Sequence, residues 1–348
     1  MAKLKTWLTG LLAIQLVLVA GLFWSNEYQQ QQNIQQRLFS FKQADVNKVV
    51  ISDSDNSVSI SKVNGQWLLP DVANLPANVD KLTDVLAKLK SIQTGWPVAT
   101  TTSSHERFEV SEDKFQRQVQ LYQGDKLVGE LLVGTSPGFR KVHIRKPEED
   151  VVYTAKLNSY ELPAKGDDWL DKSLLAAGGV DKIKSIKGAD YYLEKSGDSW
   201  TFAINKQPLL SSETIDTKLD VEKAKQLAKT FTNFQVQGVA KSPPKADNTD
   251  NKQVTIEVVT EKGSFSYQLT TVKDKYFAKR SDIDQTFTIS KYDYERIAQI
   301  GLSQLAADTQ MTTEGQVPLA TDQPSEKVET SQSDEEEATG QKDDSSKS

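Results

Sequence analysis

The strongest pattern in the chain is an apolar run followed by long stretches of alternation. Residues 7–24 read WLTGLLAIQLVLVAGLFW, with no charge and only Thr9 and Gln15 polar. Coiled as a helix at about 1.5 Å per residue, these eighteen positions reach roughly 27 Å, close to a bilayer's hydrocarbon thickness. Trp7 and Trp24 bracket the run, and Lys3 and Lys5 precede it, whereas Glu27 is the only charge in 25–36. Indoles suit the two interfaces, and the cationic flank marks the cytoplasmic side. The pattern predicts one transmembrane helix within 1–25, with everything after Trp24 outside the cytoplasm. A cleaved signal peptide would have an apolar core of about 7–15 residues ending in small residues. Only Leu18-Val19-Ala20 faintly fits that description, so a retained anchor is expected.

Residues 26–44 begin with the glutamine-rich stretch QQQQNIQQ (29–36) and are read as a juxtamembrane spacer. Beyond it, short β-type runs alternate with helical stripes, and the series then repeats. Val46-Asn-Lys-Val-Val-Ile and Ser57-Val-Ser-Ile-Ser lead through Asn64-Gly65 to Trp67. Val180-Asp-Lys-Ile and Tyr191-Tyr-Leu lead through Ser196-Gly197 to Trp200. Each series predicts a β-meander with a glycine turn before its tryptophan strand. A helix follows in both: Val79, Leu82, Val85, Leu86, Leu89 and Ile92 share one face, as do Val221, Ala224, Leu227, Ala228, Phe231 and Phe234. Further on, Gln118-Val-Gln-Leu aligns with Gln253-Val-Thr-Ile at an offset of 135, which also pairs Arg145 with Arg280 and Val152 with Phe287. Two copies of a β–β–β–α–β–β–β–β–α unit are therefore expected, joined near Gly178-Gly179.

The predicted class is α+β: two tandem β-rich repeats, 45–177 and 178–311, each with antiparallel strands packed on one or two helices, plus the N-terminal anchor. Residues 312–348 lose aromatics and periodicity and include Asp334-Glu-Glu-Glu, which predicts a disordered acidic tail. Its plain role is solubilising; a tether for a basic partner or for divalent cations is the sharper one.

Charge changes the picture only by its distribution. The net charge is −6, but residues 314–348 hold ten acids and three lysines, so 1–313 come to +1. A nearly neutral body lacks the basic footprint of a nucleic-acid binder. Cysteine is absent, which excludes thiol catalysis, cysteine-based zinc sites and lipid attachment through cysteine.

Candidate chemistry is sparse. The two histidines are His105, in a polar run read as a loop, and His143. Lys141, His143 and Arg145 alternate with Val142 and Ile144, so the three share one strand side that could receive an anionic group. The plainer reading is a solvated strand face, the common arrangement for such a pattern. No HExxH pair, GxSxG elbow, Walker loop or GxGxxG is present. Ser-x-x-Lys occurs at Ser59/Lys62, Ser111/Lys114 and Ser242/Lys245 without a Lys-Thr-Gly element. Asp167-Asp168 and Glu148-Glu149-Asp150 sit in turn-like contexts and read as solvated loops. Trp67 and Trp200 hold equivalent places and are expected in the core. No cofactor, metal or catalytic set is expected.

Several of these stretches together carry a resemblance. Trp67, Leu132-Val-Gly134, Phe139-Arg140 leading to Arg145, Val151-Val-Tyr153 and Trp169-Leu-Asp-Lys172-Ser-Leu-Leu175 are similar to a bacterial domain-of-unknown-function family, family 4340, of membrane-anchored proteins. The likeness spans about residues 45–300. Genes of that family commonly lie beside ABC transporters with gliding-motility-type auxiliary subunits, and the family offers no catalytic residues to carry over. The resemblance implies an association with an envelope transport system. Together with the anchor, the duplication and the missing catalytic set, it leads to the expectation of a bacterial inner-membrane protein, N-terminus cytoplasmic and body periplasmic, acting as a non-enzymatic accessory subunit of a membrane assembly of the ABC-transport type. A periplasmic ligand-binding module with a groove between the repeats is the alternative. A hydrolase is the least supported reading, since it needs two carboxylates facing each other at roughly 5–10 Å.

Overall fold

A computed structural model describes residues 36–203, 218–244 and 252–307, together with 15, 17–19 and 21. The predicted anchor, most of the glutamine-rich spacer and the acidic tail lie largely outside the described residues. Among the described residues no helix is long and apolar enough to cross a membrane.

The alternation read from the sequence becomes two eight-stranded antiparallel sheets. The first holds β1 (Lys48–Ser52), β2 (Ser57–Val63), β3 (Gln66–Leu69), β4 (Leu75–Pro76), β5 (Arg117–Gln123), β6 (Lys126–Val133), β7 (Val142–Arg145) and β8 (Tyr153–Ala155), in the order β4-β3-β2-β1-β5-β6-β7-β8. The second holds β9 (Ile183–Lys187), β10 (Tyr192–Ser196), β11 (Ser199–Phe202), β12 (Gly238–Val239), β13 (Lys252–Thr260), β14 (Gly263–Val272), β15 (Lys275–Arg280) and β16 (Phe287–Thr288), ordered β11-β10-β9-β13-β14-β15-β16-β12. Seven successive strands follow one topology in both, and only the added edge strand differs. Pairing also preserves the tryptophans: Trp67 lies opposite Lys62 and Trp200 opposite Lys195. Trp200 is buried, whereas Trp67 is half-buried with the Lys62 ammonium 6.0 Å from its ring centroid.

Each sheet buries one face against a helix. α1 (Val79–Ser91) places Leu82, Val85, Leu86 and Leu89 in the core beside Val49, Ile51, Val58 and Ile60. Each such side chain contributes about 1.5–3 kcal/mol on burial. The Asn78 carboxamide accepts from Lys81 N at the helix start, and Lys88 and Lys90 sit in the last turn, matching the helix dipole. In the second repeat α3 (Val221–Thr232) is capped by Asp220 and buries Ala224, Leu227, Ala228 and Phe231. Both repeats close alike. Leu170 bridges Ala77, next to the α1 cap, and Ala306 bridges Leu219, next to the α3 cap. One hydrophobic core runs through both repeats.

Four expectations need correction. Leu38, Phe39 and Phe41, assigned to the spacer 26–44, are buried in the core, with Leu38 N donating to Ile92 O. Three apolar residues in four positions are too short a pattern to count as an element. The second helix of the first repeat is only a 3-10 turn, Ser159–Glu161, whereas α4 (Lys291–Ala298) and the short α5 (Leu302–Leu305) occupy that place in the second. Pro163 lacks the N–H that would carry the turn onward. His105 does not lie in a loop; it opens the short helix α2 (His105–Phe108) and is buried. The offset of 135 holds for β5 and β13 but fails beyond them. Arg145 lies in a row with Leu132 and Gln118, on the face away from the core, whereas Arg280 lies in a row with Tyr267 and Ile256, on the core face. Paired residues project together, so the two arginines point to opposite sides. Val152 and Phe287 are separated in the same way, because Val152 packs on Leu132 while Phe287 pairs with Ala278.

Candidate functional site

The predicted trio Lys141, His143 and Arg145 is divided by the fold. All four residues of β7 are buried, so the expectation of a solvated face is overturned for His143 and Arg145. The cause is the chain between α1 and β5, which crosses the outer face of the sheet. It is pinned at one end where Val98 N donates to Val152 O and at the other where Thr135 N donates to Phe108 O. Under it, Val110, Leu132 and Val152 form a second small core with Ala99, Phe108 and Phe115. His143 Nδ1 lies 2.9 Å from Thr135 Oγ1, and its ring is 4.4 Å from that of Phe108. Burial pulls its pKa below the ordinary 6.5. Arg145 donates to the carbonyls of Val110 (2.7 Å), Pro147 (3.0 Å) and Glu149 (3.0 Å), with the Glu112 carboxylate 3.8 Å away. His105 Nε2 donates to Asp150 O at 2.8 Å. These cationic and imidazole groups are therefore consumed as clips between loops.

Lys141 alone of the three stays in solvent. It ends the turn Gly138-Phe139-Arg140-Lys141, which Ser136 Oγ braces by donating to the carbonyls of Gly138 and Lys141. Arg140 takes a left-handed backbone (φ 53°), and Phe139 is 84% exposed.

A denser constellation, unforeseen as a site, lies where the two repeats meet. The segment Trp169-Leu-Asp-Lys172-Ser-Leu-Leu175 first closes the first repeat: Asn78 N donates to Trp169 O and Asp171 N to Pro76 O. It then seats in the second. Lys172 Nζ donates to Asp167 O (2.7 Å) and Gln237 O (2.5 Å), Val236 N donates to Lys172 O, and Tyr267 Oη donates to Leu175 O at 3.0 Å. Arg280 adds a bond to Ala176 O at 3.0 Å, and Asp167 Oδ1 accepts from Val239 N at 3.1 Å. Lys81 Nζ donates to Asp168 O at 2.8 Å and lies 4.6 Å from the centroid of buried Trp169. Desolvation lowers the pKa of Lys81 and of Lys172, with Asp168 opposing it at Lys81 and Asp167 and Asp168 at Lys172. The Asp167-Asp168 pair, expected in a solvated loop, thus supplies carbonyl and carboxylate acceptors to a joint. Only the quoted Trp169–Leu175 stretch hinted at this; Lys81 reads as an ordinary helix-surface lysine, since its acceptor is 87 residues away.

Two of the cavities in the second repeat lie away from both clusters. One, about 290 Å³, is lined by Gly188, Asp190, Val254, Ile256, Ile300 and Gly301. Another, about 280 Å³, opens on the outer sheet face among Lys187, Thr255, Glu257, Ser264, Ser266 and Ser281. Asp190 Oδ2 already accepts from Leu302 N at 3.0 Å. Among the described residues no group of three or more His, Cys, Asp or Glu is placed to hold a metal ion.

The family model described as Domain of unknown function (DUF4340) matches residues 67–255. That match reaches from the Trp67 strand, across the joint, into β13. No curated protein and no solved structure matches the chain.

Proposed function

Since this chain belongs to the domain-of-unknown-function family DUF4340, we propose that it is a non-enzymatic, extracytoplasmic accessory subunit of a membrane assembly, of the ABC-transport type. In this reading residues 7–24 anchor it in a bacterial inner membrane, with the N-terminus cytoplasmic and the two-sheet body periplasmic. The observation that carries the proposal is the use made of the polar clusters. His143, Arg145, Lys81 and Lys172 all spend their hydrogen bonds on backbone carbonyls or neighbouring side chains of the same chain. A reacting group needs an open partner in a cleft, whereas these stiffen loops and join repeats. Such a body is suited to holding surfaces in fixed relation. The near-neutral charge of 1–313 gives no long-range steering, so the anchor would bring it to its partners.

Affinity purification from detergent-solubilised membranes tests the reading. Co-recovery of integral membrane subunits, lost when residues 1–25 are replaced by a cleavable signal, is the expected result. Repeated recovery of the chain by itself after crosslinking in intact membranes would sink it. The ligand-binding alternative expected a groove between the repeats; the partly apolar cavity at Asp190, Ile256 and Ile300 that could serve it lies instead within the second repeat. It predicts that Ile300→Trp, at a partly buried wall of that cavity, abolishes binding of an envelope ligand while the assembly still forms.

A further inference from the structure

The chain leaves the spacer at a defined spot on the body, and that spot carries an exposed tryptophan. Gln36 O accepts from Thr94 N at 2.8 Å and from Thr94 Oγ1 at 3.1 Å, and Arg37 bridges Gln93. The very next residues are Gly95, Trp96, Pro97 and Val98. Trp96 is 60% exposed and Val98 42%, whereas Trp169 and Trp200 are buried and Trp67 is half-buried. The loop is not a loose end. It is fastened by Thr94 on one side and, on the other, by Val98 N donating to Val152 O at 2.8 Å. Its indole is thus held outward by backbone bonds at both ends, next to the point where residue 36 arrives. Trp96 is the most exposed of the four described tryptophans.

We propose that the 95–98 loop is the seat on which the folded body rests against the bilayer that holds its own residues 7–24, with Trp96 lying in the headgroup region. The proposal rests on the anchor reading above. Its geometry follows from chain length: residues 25–35 number eleven, so the body's first residue lies within about 40 Å of the membrane even when that stretch is fully extended, and about 17 Å when it is helical. A surface tethered this closely meets lipid far more often than any free protein. An indole beside a proline is suited to that boundary, because its ring is apolar while its N–H still reaches water. Arg37, exposed at the touchdown point, and Lys90, in the last turn of α1, provide cations for anionic headgroups. Asp150, near the far end of the loop, is occupied by Thr102 Oγ1 at 3.4 Å.

The absence of cysteine allows single-site labelling of the full chain. Val98→Cys, Phe139→Cys and Leu18→Cys variants, each carrying an environment-sensitive fluorophore, are reconstituted into vesicles of phosphatidylcholine and phosphatidylglycerol containing nitroxide-labelled lipid. Phe139 is the reference, since it is the most exposed phenylalanine among the described residues and lies at the opposite end of β7 from the Val152 pin. The expected result is blue-shifted emission and lipid quenching at positions 98 and 18, neither at 139, and loss of both signals at 98 when Trp96→Ser is added. A label at 98 as open to aqueous iodide as the one at 139, with 18 still quenched, overturns the seat and leaves the anchor standing. An unquenched label at 18 overturns the anchor, and the seat with it. A blue shift at 98 without lipid quenching means that protein, a second copy included, covers Trp96, and overturns the bilayer as occupant.

Discussion

The two repeats share a strand order and differ in what they do with the outer face of the sheet. In the first, the chain after α1 crosses that face, adds a second small core over Leu132 and Val152, and shuts in His143 and Arg145. In the second, the corresponding face carries Gln253, Gln268, Thr270 and Lys279, which line a small cavity of about 60 Å³ with Pro244. The buried ionisable groups differ accordingly. The first repeat hides two imidazoles and a guanidinium; the second hides the phenols of Tyr191, Tyr267 and Tyr294 on the core side. Duplication has kept the inner face, where packing constrains volume and shape, and has let the outer face diverge, where a crossing segment can be added without disturbing the ladder.

The largest difference between the repeats is expected at their closures. Trp169 and Leu305 end their repeats in the same manner, each carbonyl accepting from the N–H of a helix cap, Asn78 or Asp220. Trp169 also donates to Pro163 O at 2.7 Å and supports Lys81 at the joint. Trp169→Ala is expected to cost about 3–5 kcal/mol and Leu305→Ala less, about 2–4 kcal/mol, in urea denaturation. Equal losses would mean that the joint adds nothing to the first closure.

Alkali should single out the second repeat. Burial pushes the Tyr267 phenol up to about 12, and that of Tyr191 higher still, with Asp190 adding to the latter. A group whose folded pKa is raised contributes stability that is complete below the unfolded pKa, near 10, and is lost as pH rises through the folded value. Between pH 10 and 12 Tyr267 is expected to forfeit about 2–3 kcal/mol. Tyr267→Phe should flatten that limb, at a neutral-pH cost of about 0.5–1.5 kcal/mol for the lost bond to Leu175 O. Tyr191→Phe should cost nothing at neutral pH, because its hydroxyl has no hydrogen-bond partner among the described residues. A steep limb persisting in the double variant would show that the phenols are not responsible.

The cover over the first sheet is tested at Gly134. A Cβ there would lie 2.0 Å from Phe108 O and 2.5 Å from Glu109 O, so Gly134→Ala must push α2 away. A loss of about 1–3 kcal/mol is expected, together with a His143 pKa returning toward 6.5 in histidine NMR titration. An unmoved titration would mean that the cover is not what desolvates the ring.

The smallest effect belongs to His143 itself. Its folded pKa is lowered, so the unfolded chain binds more protons below pH 6.5 and stability falls as pH drops through that window. His143→Gln should remove this acid slope and leave the alkaline limb untouched. A slope unchanged in the variant would assign the acid sensitivity elsewhere.

The class, the duplication and the inner faces were legible in the residue pattern. Period-two runs and 3.6-residue stripes report directly on which side chains leave water, and Leu82, Val85, Leu86 and Leu89 lie where their spacing put them. The glycine turns at Asn64-Gly65 and Gly197 were equally legible, because positive φ favours those residues. The cover over an outer face and the distant carbonyl that takes a lysine depend instead on long-range folding. Lys141, His143 and Arg145 alternate identically whether their side of the strand meets water or α2; the crossing segment, close in space but distant in sequence, makes the difference. Lys81 and Lys172 look like solvated lysines until the fold brings Asp168 O and Gln237 O to them. Even the offset that revealed the duplication misassigned Arg280, because register depends on hairpin lengths and bulges, such as the one at Leu121/Tyr122, and one residue of slip turns a side chain to the opposite face.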